Sequence, residues 1–110
     1  MVKSNVFAAL ADPTRREMLD LLVKKPRSAG EFVSKFSNLT QPGVSRHLRV
    51  LREAQLVNVK VQAQQRIYAL NPEGLVELRK WVEKYEQFWS DKLDALEDHL
   101  DAKSKRGLKN

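Results

Sequence analysis

The segment from Ser28 to Val57 constrains the fold most, because it predicts two short helices in close succession. The capping box Ser28-Ala29-Gly30-Glu31 predicts where the first helix begins, and the polar segment Ser37-Asn38-Leu39-Thr40 ends it. Pro42 then lies where the first turn of a helix tolerates proline. A second helix is therefore predicted from Gln41 to Ala54.

This second helix has a narrow apolar face and a basic face opposite to it. At about 100° per residue, Leu48 and Leu51 lie within about 40° of Val44. Arg46 and Arg49 lie on the other side. A helix that is held by three apolar residues and carries two arginines outside suits the major groove of DNA. A solvated basic face on an ordinary helix would explain the same pattern.

Two segments with alternating polarity follow and predict a β-hairpin. Leu56–Val61 and Arg66–Leu70 alternate at period two, and the polar segment Gln62-Ala63-Gln64-Gln65 joins them. The hairpin comes directly after the basic helix and is rich in side chains that can donate to phosphate oxygens. It is therefore interpreted as a wing, although its turn lacks glycine and the turn type is not predicted.

Three segments resemble the ArsR/SmtB-type winged helix-turn-helix repressors of bacteria, namely Asp12-Pro13-Thr14-Arg15-Arg16, Gln41–Leu48 and Leu51–Val57. The resemblance extends from Val2 to Leu100. It implies a dimeric, sequence-specific repressor that binds an inverted-repeat operator in double-stranded DNA, with repression of its own gene as one form of this function. One departure is Gln55, where the family usually has a glycine that ends the recognition helix. A left-handed backbone there is more costly for glutamine than for glycine, so the end of this helix is expected to be shaped differently from that of the family.

The predicted DNA-binding residues belong to the second helix and the wing. They are Thr40, Gln41, Ser45, Arg46, His47, Arg49, Lys60, Gln62, Gln64 and Arg66. His47 lies about 60° from the apolar face of the helix. A hydrogen bond that anchors the helix and a contact to DNA are both open for this histidine.

Helices are also predicted before and after the two central helices and the wing. Val6–Leu10 forms a first helix, and Asp12 with Pro13 caps another. Asn71-Pro72 starts a helix of some 30 residues, which is about 45 Å long. This length exceeds what so small a domain covers, so the helix either lies back across its own domain or forms a dimer seam.

The resemblance implies the dimer, with the first and last helices at the interface. The interface residues are then Val6, Phe7, Leu10, Tyr85, Trp89, Leu93, Leu96 and Leu100. The predicted fold is mainly α with a small β-hairpin, a winged helix-turn-helix with long N- and C-terminal dimerisation helices. Residues 1–102 form this domain, and residues 103–110 are predicted to be a disordered basic tail.

Charge is distributed unevenly along the 110 residues, whose formal net charge is +6. Residues 1–70 hold 12 Lys and Arg against 5 Asp and Glu, whereas residues 71–102 hold 4 against 9. The predicted DNA-reading part is therefore basic and the long helix acidic. The last eight residues add +4, so the positive charge lies with the predicted DNA-reading part and the tail, which argues against a uniformly basic protein.

Several other function classes find little support in the sequence. The chain has no cysteine, two histidines, no glycine-rich phosphate loop and no Gly-x-Ser-x-Gly motif, so we expect no enzyme and no cofactor. Thiolate metal sites are ruled out, and a site on the last helix would depend on His99 alone among histidines. That helix resembles the metal-independent branch of the family, which includes SdpR-like autorepressors.

No apolar run approaches the length of a membrane span, so we expect no membrane partner and a cytoplasmic, nucleoid-associated protein. Two alternatives stay open, a winged-helix module for protein or RNA partners and a metal-responsive repressor. The sequence identifies no inducer.

Overall fold

The computed structural model describes the backbone of residues 5–108 and the side-chain surroundings of residues 5–100. It divides into two compact units, one up to Leu78 and one from Arg79 onward. The elements in chain order are α1 (Val6–Leu10), α2 (Pro13–Lys24), β1 (Arg27–Ser28), α3 (Ala29–Lys35), α4 (Gln41–Glu53), β2 (Val57–Gln62), β3 (Gln65–Leu70) and α5 (Pro72–Leu108). The predicted helices and the wing are therefore confirmed.

The helices begin where the sequence predicts that they begin, because the predicted capping residues make their bonds. The side chain of Asp12 accepts from the backbone N–H of Thr14 at 2.8 Å. The hydroxyl of Ser28 accepts from Glu31, and the Glu31 carboxylate accepts from the Ser28 N–H, each at 3.2 Å. The Ser28 N–H, followed by the Arg27 guanidinium, holds the pKa of the Glu31 carboxyl below its ordinary value.

The first helix lies where the sequence predicts it but is short, whereas the predicted architecture has a long N-terminal dimerisation helix. Asn5 caps the first helix by accepting from the backbone N–H of Phe7 at 2.7 Å, so α1 begins at Val6 and has five residues. Val6, which the sequence assigns to a dimer seam, is instead 1% exposed and packs in the core of its own chain. The core consists of Val6, Ala9, Met18, Leu19, Leu22, Phe32, Phe36, Val44, Leu48, Leu51, Ala54, Leu56, Val57 and Tyr68.

The sheet has three antiparallel strands in the order β1-β3-β2, where the sequence predicts only a hairpin. Arg27 lies opposite Tyr68, and Ser28 lies opposite Ile67. A strand of two residues has no alternation to detect, and Ser28 carries a helix-capping signal of its own. The added strand connects the segment before α3 to the wing.

The wing turn is also tighter than predicted. Gln62 pairs with Gln65, so the loop contains only Ala63 and Gln64. Their φ angles are 49° and 67°, which are left-handed at both positions as in a type I′ turn. Asparagine and glycine adopt this conformation more readily than alanine and glutamine do.

The double substitution Ala63→Asn and Gln64→Gly is therefore expected to stabilise the protein by about 1 kcal/mol. Urea unfolding monitored by circular dichroism measures the change. Ala63→Val is the opposite control, because a β-branched residue at positive φ is more strained than alanine. A destabilised Asn-Gly variant would contradict this turn geometry.

Helix α4 ends in a Schellman motif around Gln55, whose φ is 63°. The Gln55 N–H donates to the carbonyl of Arg52 and the Leu56 N–H to that of Leu51, both at 2.9 Å. The Gln55 carbonyl accepts from the N–H of Gly74, also at 2.9 Å. The end of α4 and the start of α5 are therefore joined backbone to backbone.

The helical backbone of α5 extends to Leu108, further than the predicted domain boundary at residue 102. Residues 103–108 include no proline, and lysine and arginine are good helix formers. Residues 109–110 lie outside the described residues. Disorder of this tail in solution stays a prediction.

Candidate nucleic-acid interface

Helix α4 is anchored by its apolar face and leaves its basic face exposed. Val44, Leu48 and Leu51 are each at most 1% exposed. Arg46 and Arg49 are exposed on the other side. Gln41 and Ser45 are exposed as well, and Thr40 caps the helix by accepting from the Gly43 N–H at 3.1 Å. The division of the helix into two faces agrees with the sequence prediction.

The predicted wing residues lie on two different faces of the sheet. Val61 is directly opposite Arg66, and Lys60 is directly opposite Ile67. Opposite residues of antiparallel strands share a face, and neighbours along a strand alternate. Arg66 therefore shares its face with the buried Tyr68, whereas Lys60 and Gln62 lie on the outer face. Gln64 is in the turn.

Arg66 comes together with α4 in a groove of about 320 Å³, which we call the α4–β3 groove. The groove is lined by Ala29, Gln41, Ser45, Leu48, Arg49, Arg52, Arg66 and Tyr68. Three of these side chains are arginines and none is a carboxylate. Lys60 and Gln62 instead line a separate depression with Pro26, Asn58, Ile67 and Ala69.

Arg52 is the residue of this groove that sequence reasoning missed. It follows Arg49 by three positions, a spacing that places two residues on neighbouring parts of a helix surface. Within residues 5–100, ion pairs are made by Arg15, Arg27 and Arg79 but not by Arg49, Arg52 or Arg66. Among the described residues, no acidic side chain therefore forms an ion pair with an arginine of the groove.

His47 contacts α2 rather than standing free on the outer face of α4. Its Nδ1 lies 3.2 Å from Nη1 of Arg15, and the residue is partly buried. Arg15 also lies near Asp12, with 3.8 Å between Nη1 and Oδ2. Partial burial acts to raise the pKa of Asp12, but the backbone N–H groups of Arg15 and Thr14 and the Arg15 guanidinium hold it below its ordinary value.

The other predicted interface residues differ in their accessibility. Leu10 packs partly against the core, whereas Phe7 is 36% exposed. In the unit from Arg79 onward, five of the exposed apolar side chains are spaced three or four residues apart and are exposed by 45–57%. They are Tyr85, Trp89, Leu93, Leu96 and Leu100, and we call them the α5 strip. Such a continuous apolar strip on a single helix is a surface that another surface can bury.

The described part of the chain holds no group of three or more His, Cys, Asp or Glu side chains placed to bind a metal ion. Among its helices, none combines the length and apolarity that crossing a bilayer requires.

Comparison with known proteins agrees with this arrangement. A family model described as a helix-turn-helix domain matches residues 10–60. The transcriptional repressor SdpR of Bacillus subtilis is 37% identical over 79 residues, which are 72% of this chain and 87% of that protein. The HTH-type transcriptional regulator Rv2034 of Mycobacterium tuberculosis is 35% identical over 96 residues, 87% of this chain and 86% of that protein.

Solved structures are similar as well. An ArsR family transcriptional regulator, RHA00566, has a TM-score of 0.69 at 27% identity and covers 77% of this chain and 87% of its own. A possible transcriptional regulator for arsenical resistance has a TM-score of 0.67 at 35% identity. The match covers 84% of this chain and 92% of that protein. With its helix-turn-helix, wing and long last helix, the chain belongs to the ArsR/SmtB-type family of DNA-binding winged helix-turn-helix transcriptional regulators.

Proposed function

We propose that this regulator is a homodimeric repressor that binds an inverted-repeat operator through α4 and the wing. The observation that carries the proposal is the α4–β3 groove, in which Arg49, Arg52 and Arg66 meet without a carboxylate. The groove lies beside the exposed face of α4, and phosphate oxygens are natural partners for a cluster of guanidinium groups. Repression is supported by the similarity to SdpR, a transcriptional repressor.

The basic residues divide into two roles in this proposal. Arg46 and Arg49 reach base edges in the major groove, where an arginine can bind guanine with two hydrogen bonds. Gln41 and Ser45 support them from the exposed side of the helix. Arg52 and Arg66 bind the sugar-phosphate backbone from the two walls of the α4–β3 groove. Lys60 on the outer face of the wing contributes a further phosphate contact.

Arg46→Ala is expected to lower operator affinity by about 1–3 kcal/mol and to leave non-specific affinity nearly unchanged, because base contacts carry the sequence information. Arg52→Ala and Lys60→Ala are expected to weaken all duplexes about equally. They should also reduce the slope of log affinity against log salt by about 0.9 each.

Fluorescence anisotropy at several salt concentrations measures these effects. The duplexes carry either an inverted repeat from in vitro selection or a scrambled sequence of the same length. Gln65→Ala at the wing tip is a neutral control. Equal losses on both duplexes for Arg46→Ala would contradict its assignment to base reading.

The homodimer rests on a separate observation, the α5 strip. In a symmetric dimer, the α5 strip of one subunit would pack against the α5 strip of the other. The two α4 helices would then be held about one helical turn of DNA apart. Phe7 and Leu10 stay predicted members of the interface. A cytoplasmic, nucleoid-associated protein that represses its own gene follows from this proposal, and its own promoter region is then the first DNA to test.

A further inference from the structure

The side chain of Arg15 connects α1, α2 and the recognition helix α4. Its Nε donates to the carbonyl oxygen of Ala9 at 2.7 Å, and its Nη2 donates to that of Ala8 at 3.2 Å. Its Nη1 lies 3.2 Å from Nδ1 of His47. The side chain is only 16% exposed. One guanidinium therefore binds the last carbonyl groups of α1 and a side chain of α4 at once.

The chemistry of this contact determines the state of His47. A guanidinium has five N–H donors and no acceptor, so Nδ1 of His47 must accept the bond and carry no proton. A neutral imidazole then has its single proton on Nε2. The other charged group near this pair is Asp12, whose Oδ2 lies 3.8 Å from the same Nη1 of Arg15, while α1 contributes no charged side chain.

We propose that Arg15 is a positioning residue of DNA recognition, which holds His47 in the Nε2–H tautomer and presents that N–H as a donor to the DNA. His47 lies on α4 between the buried Leu48 and the exposed Arg46. Nδ1 of the ring is bound to Arg15. The other ring nitrogen, Nε2, is therefore suited to donate its proton outward. This inference rests on the proposed DNA-reading role of α4 and answers whether His47 anchors the helix or contacts DNA, because it does both.

Arg16 provides a matched control in the next position of the chain. Its Nη1 donates to the carbonyl oxygens of Leu10 and Ala11 at 2.7 and 3.2 Å. It thus satisfies the same end of α1 with the same chemical group. The structure gives Arg16 no contact with His47 among the described residues. Comparing the two arginines therefore separates support of α1 from positioning of His47.

The first test is a double-mutant cycle on the affinity for the selected inverted-repeat duplex. Arg15→Met is expected to lower affinity about tenfold, in line with the loss of a charge-assisted hydrogen bond. Arg16→Met should change it less than twofold. In a His47→Ala background, Arg15→Met should have little further effect, because its contribution acts through the imidazole. Additive losses, or equal losses for the two arginines, would overturn the inference.

The second test uses the full chain without DNA. Nitrogen-15 chemical shifts of the His47 ring at mildly alkaline pH should show a single tautomer with an unprotonated Nδ1. Arg15→Met should shift both nitrogens toward the average of two tautomers, and Arg16→Met should leave them unchanged. A wild-type ring that already averages two tautomers would refute the inference. If the shifts agree but no duplex is bound, the proposed function has failed and the Arg15–His47 contact has not.

Discussion

Leu93→Glu in the α5 strip is expected to convert the protein from a dimer to a monomer and to weaken operator binding by about 10²–10⁴-fold. The side chain is 54% exposed in the single chain, so a carboxylate is hydrated there before assembly. Burying it against a second copy would remove that hydration without providing a partner, at a cost of several kcal/mol. A monomer engages one half-site at a time and loses the effective concentration that links the two binding events.

Sedimentation velocity measures assembly, and anisotropy on the selected duplex measures binding. Gln87→Glu is the matched control, because it adds the same charge on the polar side of α5. There the Gln87 side chain only donates to Asp91 at 3.3 Å, so the dimer and the affinity should both persist. A Leu93→Glu protein that still sediments as a dimer would remove the α5 strip from the interface.

Gly74→Ala is expected to destabilise the unit up to Leu78 by about 1–3 kcal/mol, the usual cost of forcing an extra carbon into a packed site. A Cβ on Gly74 would lie 2.5 Å from the carbonyl oxygen of Gln55 and 3.0 Å from that of Ala54. Both atoms are backbone, so neither can move aside alone. The Gly74 N–H bond to Gln55 would break, and the Schellman motif of α4 would shift with it.

Gly30→Ala is the control for this experiment, because a Cβ there would meet only the Ser28 hydroxyl at 3.8 Å. Alanine is the better helix former, so this variant should gain about 0.5–1 kcal/mol. Urea unfolding of both variants measures the difference. A Gly74→Ala protein as stable as Gly30→Ala would contradict the close approach of α5 to the end of α4.

Most of the local structure could be predicted because its causes lie within a few residues of each other. The capping side chains of Asp12, Ser28 and Thr40 bond to N–H groups two or three positions away. The apolar stripe of α4 needs only the helical period. The helix end at Gln55 is an exception, because the cost of a left-handed glutamine predicts a differently shaped end. The structure keeps a φ of 63° there, with the N–H groups of Gln55 and Leu56 bonded to the last turn of α4.

The remaining features depend on contacts between residues far apart in the chain, which no periodicity reveals. β1 exists only because Arg27 and Ser28 reach β3. Placing Lys60 and Arg66 on opposite faces requires the register of a two-residue turn, where the sequence predicts four residues. Arg52 becomes part of the site only when β3 closes the groove beside it. The burial of Val6 likewise depends on how α1 packs in the core.

The separation between the two faces of α4 has a consequence for how such a regulator evolves. The side chains that hold the helix are Val44, Leu48 and Leu51, and they are distinct from the exposed Arg46 and Arg49. Surface substitutions away from capping and packing sites usually change stability by less than about 0.5 kcal/mol. A duplicated gene can therefore acquire a new target sequence in single steps without passing through unfolded intermediates.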